Sequence, residues 1–449
     1  MTTGLKPGAH RNSSDALLHN EQMDFLSDLR WRGMLSETTE GLSETLARES
    51  VTAYIGFDPT AASLHVGSLL TVMGLARLQR LGHRPIALVG GGTGLIGDPS
   101  GKSLERSLLT FEQAEANAHG LRNQLERFLD FTSGRSNAAL MRNNVEWLRP
   151  VGLLDFLRDV GKHFTVNYMM AKESVKRRLE GEDGISFTEF SYQLLQAYDY
   201  LVLHDREGCT LQMGGSDQWG NITSGCELIR KVRGKHVHGL VWPLMTTSSG
   251  SKFGKTEAGT VWLDADLTSP FRFYQFWLNT DDRDVVGYLK LFTWLDAATV
   301  EALAETVSRA PEQREAQRTL AREVTTLVHG AARTSAAERA SALLFGSSLA
   351  GATADEILTV FDDVPSVAVA RAALAAGLSH SDLAVRASLV ASKGEATRLI
   401  KQGGLYLNDQ RVNDERGMVT LDHAIDGKVI VLRKGQRERR LVRIVDAVA

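Results

Sequence analysis

The sequence predicts an α/β fold in its first half, a helical region after it, and a small helix-plus-strand module at its end. Three observations carry this reading. A strand–helix–strand pattern at βαβ spacing runs from Val51 to Val89, and the stretch from about Asp282 to Phe345 is almost wholly helical in its periodicity. From His380 onward, short strands alternate with turn residues behind one capped helix.

The elements run in order along the chain. Met1–Asn20 is polar, has little to bury and lacks the apolar core of a signal peptide, so a tail to residue 22 is expected, then a helix around Met23–Arg32. Val51–Phe57 reads as a strand stopped at Asp58-Pro59, because proline ends ladder pairing and fixes a turn. Leu69, Val72, Met73, Leu75, Ala76, Leu78 and Leu81 make a helical stripe closed by Gly82. Pro85–Val89 is a short, wholly apolar strand of the kind buried in parallel sheets. A Gly-rich segment comes next, a helix resumes near Phe111, and Gly239–Leu244 is a further strand. Glu312–Val328 reads as a helix opened by Pro311 and stopped near Gly330. Ala352–Ala376, rich in Ala and holding Asp362-Asp363 and Pro365, reads as a connector. Ser392 and Glu395 form a capping box for a helix to Lys401, ended by Gly403-Gly404. Strands at Leu405–Leu407, Val429–Leu432 and Leu441–Val445 complete the module.

Composition narrows the class. The 449 residues are 43% hydrophobic and 23% charged, as in ordinary globular proteins of two or three domains. Only Cys209 and Cys226 are present, which excludes a disulfide framework and a Cys-based zinc site. With no apolar run long enough for a bilayer, a cytoplasmic location is expected. The formal charge of −3 hides an asymmetry: residues 380–449 carry 13 Lys/Arg against 9 Asp/Glu, leaving the rest at −7. A basic terminal module on an acidic body suits a polyanionic partner, and Arg398, Lys401, Arg411 and Lys434 are among the candidates to touch RNA phosphates there.

Several motifs could hold phosphates. Gly92–Gly97 satisfies G-x-G-x-x-G after a strand, which raises a dinucleotide-binding oxidoreductase. Asp98-Pro99-Ser100-Gly101 stands where the helix should begin, however, and no ribose-binding acid is identifiable. Gly97–Ser103 is one residue short of a Walker A loop, although its amides with Lys102 and Arg106 suit phosphates. A tight loop needing glycine for backbone shape explains the segment equally well. The sharper signal has three pieces. Asp58–Ser68 joins a strand to a helix, so that His65 and the helix amides can face a triphosphate, with Gly67 allowing close approach. Lys252-Phe253-Gly254-Lys255-Thr256 places two cations and a hydroxyl in a polar loop. Gln212–Asn221 gathers polar groups around glycines, a cluster costly to bury unpaired.

Together these pieces resemble the class I aminoacyl-tRNA synthetases, with His65–Ser68 as the HIGH-type motif and Lys252–Thr256 as the KMSKS-type loop. Tyr54–Thr60, Ser191–Asp199 and Gly214–Asn221 narrow the resemblance to the bacterial-type tyrosyl enzymes, over nearly the whole chain from about Met23. The resemblance implies a doubly wound parallel-sheet (Rossmann-type) catalytic domain over residues 23–246. It further implies the loop and a helical anticodon-binding domain over 247–350, a linker over 351–378, and a small α+β S4-like RNA-binding domain over 379–449. A homodimer acting on L-tyrosine, ATP with Mg²⁺, and tRNA is expected, with no prosthetic group and no membrane partner.

The same resemblance assigns roles. Tyr54 and Asp199 are expected at the substrate phenol; Tyr192, Gln196 and Asp98 at its ammonium; Gln218 at its carboxylate. Thr60 and His65 are expected at the γ-phosphate. Lys102, Arg106, Lys252, Lys255 and Thr256 are expected along the polyphosphate. Gly56, Asp58, Gly67, Ser68, Thr71 and Asp217 are expected to line the ATP pocket. Tyr192, Gln196 and Asp199 fall on one helical face, which suits a shared site. Two departures stand out: Ser68 replaces the final His of the HIGH-type motif, and the loop reads Lys-Phe-Gly-Lys-Thr. The rivals are a tryptophan synthetase, the oxidoreductase, and a non-catalytic RNA-binding relative. The Tyr54/Asp199 pair argues against the first, and the retained His65, Lys252 and Lys255 argue against the last.

Overall fold

The computed structural model describes residues 24–100, 109–181, 184–250, 253–256, 259–344, 349, 351–361, 364–435 and 438–446. The chain divides into two units: residues 1–268 with 279–320, and residues 269–278 with 321–449. Among the described residues no helix is long and apolar enough to cross a membrane.

The first unit is built on a six-stranded sheet of β1 (Glu37–Thr38), β2 (Thr52–Phe57), β3 (Arg84–Val89), β4 (Leu140–Asn143), β5 (Cys209–Gly215) and β6 (His238–Trp242). Its spatial order is β1-β6-β5-β2-β3-β4, parallel throughout except for the antiparallel edge strand β1. Five of this unit's helices bear on the cleft and its supports: α1 (Phe25–Arg32), α2 (Val66–Arg80), α3 (Phe187–Glu207), α4 (Trp219–Arg233) and α5 (Asp282–Phe292). The chain builds outward from β2 to β4 on one side, then returns to build β5 and β6 on the other. The order therefore reverses between β2 and β5, the switch point outside which open α/β sheets place their ligands.

The local reasons are legible. Pro85 to Val89 of β3 are all buried, because both faces of a parallel strand are covered by helices. Helix α2 turns Leu69, Val72, Met73, Leu75, Ala76 and Leu78 inward, as the stripe predicted, but starts at Val66, with His65 as its extended N-cap. That shift of three residues puts the first turn of α2 directly after the β2 turn. Helix α3 runs without a break from Ser186, whose hydroxyl accepts from Glu189 N, to Gly208 in the left-handed conformation.

In the second unit a five-stranded sheet runs in the order 410–411, 405–407, 429–434, 438–445, 366–370. One face buries Leu405, Leu407, Ile430, Leu432 and Val442 with Leu383, Ala396 and Ile400 of two helices. Val429, Val431 and Leu441 on the other face pack with Ile357, Phe361 and Leu343. The expected linker over 351–378 is corrected here. Ala354–Val360 is a helix with a full capping box, and Ser366–Ala370 is a strand pairing in parallel with Leu441–Val445. Its partner lies some 75 residues on, so nothing local in an Ala-rich stretch betrays the pairing. Two smaller differences have equally local causes. Arg314 adopts φ 50 after a short 3-10 turn at Pro311–Gln313, so the helix begins at Glu315 rather than Glu312. Ser392 caps its helix through Glu395 N, but the Glu395 carboxylate accepts from Ala391 N instead of closing the box on Ser392.

Candidate active site

A cleft of about 550 Å³ opens at the carboxyl ends of β2 and β5. The structure brings Tyr54, Gly56, Asp58, Thr60, His65, Gly67, Ser68, Thr71, Asp98, Tyr192, Gln196, Asp199, Asp217 and Gln218 to its walls. Lys102, Arg106 and Lys252 lie outside the described residues. The Lys255–Thr256 backbone forms a short strand with Gly259–Thr260.

The floor of the cleft is a polar cluster walled off from water. Tyr54 on β2 is 1% exposed, and its hydroxyl has no hydrogen-bond partner among the described residues. Asp199 on α3 is 2% exposed and accepts from Asn144 Nδ2 at 2.9 Å and Trp147 Nε1 at 2.7 Å. Burial pushes the Asp199 carboxyl up to about 7, with the Asp58 charge adding to the rise and the two donors opposing it. Burial, with the Asp199 charge next, also drives the Tyr54 phenol well above its ordinary value, so it stays a neutral donor. A buried hydroxyl without a partner costs roughly 1–3 kcal/mol, and such a group is a standing invitation to a polar ligand.

Above the floor two chains of hydrogen bonds shape the walls. Thr93 Oγ1 donates to Asp58 Oδ1 at 2.9 Å, Tyr192 OH donates to Asp58 Oδ2 at 3.1 Å, and Asn144 Nδ2 donates to Thr93 Oγ1. Gly90 is obligatory here, because a methyl group on it would overlap both Asp58 Oδ1 and Thr93 Oγ1. Gln218 Nε2 donates to Asp98 Oδ2 at 2.7 Å, while its Oε1 accepts from Gln196 Nε2 at 3.2 Å. Asn221 Nδ2 then reaches Gln196 Oε1 at 3.0 Å. The expected ammonium-binding and nucleoside-binding residues are thus joined through the Tyr192–Asp58 bond.

At the mouth, the first turn of α2 lies beside His65, whose ring is 6.1 Å from that of Trp262. A side chain at Gly67 would come within 2.8 Å of the His65 ring, so glycine keeps both the ring and the amides clear. The segment after the Lys252–Thr256 loop is laced to this turn: Val66 N donates to Val261 O, and Leu263 N to Leu64 O. Among the described residues no group of three or more His, Cys, Asp or Glu side chains is placed to hold a metal ion.

Sequence reasoning missed Asn144 and Trp147, and it gave Thr93 and Asn221 no individual role although both lie in motifs it singled out. Asn144 follows β4 at the carboxyl end of the sheet, so strand position was the signal that could have found it. Of the expected RNA contacts, Arg398 is exposed, Lys401 lies 3.5 Å from Glu415 and Lys434 3.2 Å from Glu395, and Arg411 donates to Gln402 O. Exposed pairs of this kind are worth little, so phosphate can compete for these cations.

A cleft at the switch point of an open parallel sheet, with a helix N-terminus at its mouth and a buried polar floor, is where proteins of this architecture bind their ligands. Comparison with known proteins makes this specific. Residues 46–346 match the family of class I tRNA synthetases for W and Y, and the chain belongs to that family. Residues 356–442 match the C-terminal domain of the tyrosine–tRNA ligase SYY-like type. A tyrosine–tRNA ligase of Roseiflexus castenholzii is 56% identical, covering 94% of this chain and 99% of the relative; one of Geobacillus stearothermophilus is 52% identical, covering 94% and 100%. Among solved structures, a C-terminally truncated mitochondrial tyrosyl-tRNA synthetase of Aspergillus nidulans superposes with a TM-score of 0.65 at 31% identity, over 74% of this chain and 97% of that one.

Proposed function

We propose that this protein activates L-tyrosine with ATP to tyrosyl-adenylate and pyrophosphate, then transfers tyrosine to the 3′ end of its tRNA. The observation that carries the tyrosine assignment is the unpartnered Tyr54 hydroxyl sharing a buried floor with Asp199. A substrate phenol donating to Asp199 and accepting from Tyr54 satisfies every polar group at once. A phenylalanine ring would leave the Tyr54 hydroxyl unpaired and Asp199 with only its Asn144 and Trp147 donors, and an indole offers no oxygen to accept from Tyr54. Tyrosyl enzymes are themselves the established example of such discrimination, rejecting phenylalanine by about 10⁵, a figure that belongs to the class and is not calculated from this cleft.

In the first step a tyrosine carboxylate oxygen attacks the α-phosphorus of ATP, and the bond to pyrophosphate breaks. The carboxylate is already ionised, so no general base is needed, and the work falls on alignment and charge stabilisation. Asp98, held by Gln218 and by Ser100 N, supplies a carboxylate for the ammonium. The Tyr192 hydroxyl spends its proton on Asp58 and keeps lone pairs for the same cation. Gln218 steers the reacting carboxylate. Gly56, with open space where a side chain would stand, lets the nucleoside lie against β2, near Asp58, Ser68, Thr71 and Asp217. Ser68 hydrogen-bonds with a shorter reach than the usual histidine. Thr60 and His65, with the positive end of α2 behind them, receive the γ-phosphate; Lys102, Arg106, Lys252, Lys255 and Thr256 complete the clamp. Magnesium accompanies ATP as the counter-ion of its phosphates. In the second step a hydroxyl of the terminal ribose attacks the acyl carbon and AMP departs.

The same reading takes residues 23–246 as the catalytic region, 247–350 as the loop and helical anticodon-binding region and 379–449 as the RNA-binding region, the last using Arg398, Lys401, Arg411 and Lys434, and has the protein working in the cytoplasm with its tRNA. A homodimer is supported by large apolar side chains left in solvent on two short helices: Leu153 is 72% and Leu154 80% exposed, with Leu157, Val166 and Met170 beside them in sequence. The direct test is incubation with ATP, tyrosine and tRNA. Acid-precipitable tyrosine that depends on both ATP and tRNA supports the reading, and its absence from active preparations refutes it.

A further inference from the structure

Helix α5 packs against α1 and α2 and is held at its carboxyl end by two buried arginines. Arg77 Nη2 donates to Thr293 O at 2.7 Å and to Lys290 O and Leu291 O at 3.3 Å. Arg32 Nη1 donates to Lys290 O at 2.7 Å and Nη2 to Leu295 O at 3.2 Å. Asp28 sits between them, 2.8 Å from Arg32 Nε and 3.6 Å from Arg77 Nη1. Trp294 carries the Arg77 and Arg80 guanidinia at 4.8 and 3.6 Å from its ring centre. The last carbonyls of a helix have no partners within it and carry a partial negative charge, so cations are the complement they need. Burial, with Arg32 adding like-charge repulsion against the pull of Asp28, brings Arg77 down to about 9, and it keeps its charge at neutral pH.

Stability alone is a poor reason for this arrangement, since apolar packing holds a helix without the cost of desolvating charge. What a planar fork of donors adds is register: it fixes the rotation and axial position of α5. The rest of α5 explains why register matters. Near its start, Asp284 accepts from Ser248 N with both oxygens at 3.1 Å, anchoring the entry to the Lys252–Thr256 loop. Further along, Phe253 of that loop stacks on Phe292 at 5.4 Å and meets Tyr288 edge-on at 5.0 Å. Gly254, at φ 84, lies so close to Val66 and Gly67 that a side chain there would come within 2.8 Å of Val66 Cγ2. Arg77 itself belongs to α2, about 18 Å along the helix from His65 at 1.5 Å per residue. One helix therefore carries the phosphate-facing turn at its start and, near its end, the clamp on the shelf under the loop.

We propose that Arg77, with Arg32, is a positioning residue for adenylate formation: by clamping α5 to α2 it fixes the Tyr288–Phe292 shelf, and so the height at which Phe253 and Gly254 meet the first turn of α2. The inference rests on the adenylate-forming reading of the cleft. Misplacement on the 1 Å scale is enough to cost up to about 100-fold in a reaction that depends on alignment.

The test uses the full-length protein, with wild-type adenylate formation as the control; if wild-type makes none, the functional reading fails and not the clamp. For Arg77→Met the expected result is adenylate formation slowed about tenfold, with a raised KM for ATP and a tyrosine Kd within twofold of wild-type. Transfer to tRNA from the preformed adenylate should run at the wild-type rate, because the polyphosphate has already left. Wild-type kinetics, a loss shared equally by both steps, or weakened tyrosine binding would each overturn the proposal. Should Arg77→Met fail to fold, Arg77→Lys keeps the charge but not the fork. Combined with Phe253→Leu, it should slow adenylate formation by less than the product of the two single effects, whereas simple multiplication of those effects would overturn the coupling.

Discussion

Replacing Tyr54 by phenylalanine removes one oxygen, and the structure fixes the sign of two opposite consequences. In the free protein that hydroxyl is 1% exposed and unpartnered, so its loss should stabilise the first unit by about 1–3 kcal/mol. In the tyrosine complex the same hydroxyl gains a hydrogen bond worth about 0.5–1.5 kcal/mol and sheds the penalty it carried when free, so kcat/KM for tyrosine should fall by about 1.5–4.5 kcal/mol, roughly 10- to 1,500-fold at 1.4 kcal/mol per tenfold. Phenylalanine makes no such bond, and its weak activation should stay level or improve, narrowing the discrimination. Pyrophosphate exchange with both amino acids, beside thermal unfolding of the free protein, reads all three numbers. An unchanged kcat/KM for tyrosine, or an equal fall for both amino acids, would refute the phenol assignment.

Other consequences are as direct. Ionised Asp199 accepts from the phenol more strongly than the protonated acid, so with its carboxyl near pH 7 in the free protein the tyrosine KM should rise as pH falls from 8 to 6; Asp199→Asn should be weaker but flat over that range. Because that value lies above the ordinary 3.8, Asp199 takes stability from the wild-type fold as pH rises from about 4 to 7. Denaturant melts should therefore show Asp199→Asn gaining on wild-type across that window. Gly90→Ala pushes a methyl group into Asp58 and Thr93 and should slow tyrosine-dependent exchange at least tenfold while circular dichroism stays that of the wild-type. Leu154→Arg puts charge on the exposed apolar helix and should convert a dimer to a monomer in sedimentation, with no change in the sedimentation coefficient counting against that surface.

How much of this was legible depends on which interactions are local. The strand ending at Phe57, the apolar stripe of α2 and the polar face of α3 each announce themselves within a dozen residues, so the catalytic sheet and most of the cleft could be read in advance. The partners of Asp199 were hidden because Asn144 and Trp147 lie more than fifty residues away and meet it only after β4 joins the sheet. Strand 366–370 was hidden for the same reason, its hydrogen bonds going to the far end of the chain. The Arg77 clamp was invisible because an arginine in a helical stripe reads as surface until its carbonyl partners, over 200 residues away, are in place.

ATP–pyrophosphate exchange, run on the full-length protein with magnesium and each of the twenty amino acids in turn, tests the central claim most directly. Exchange with tyrosine alone is the predicted pattern. Exchange driven by tryptophan, or none with tyrosine, would contradict a cleft floor built around a phenol.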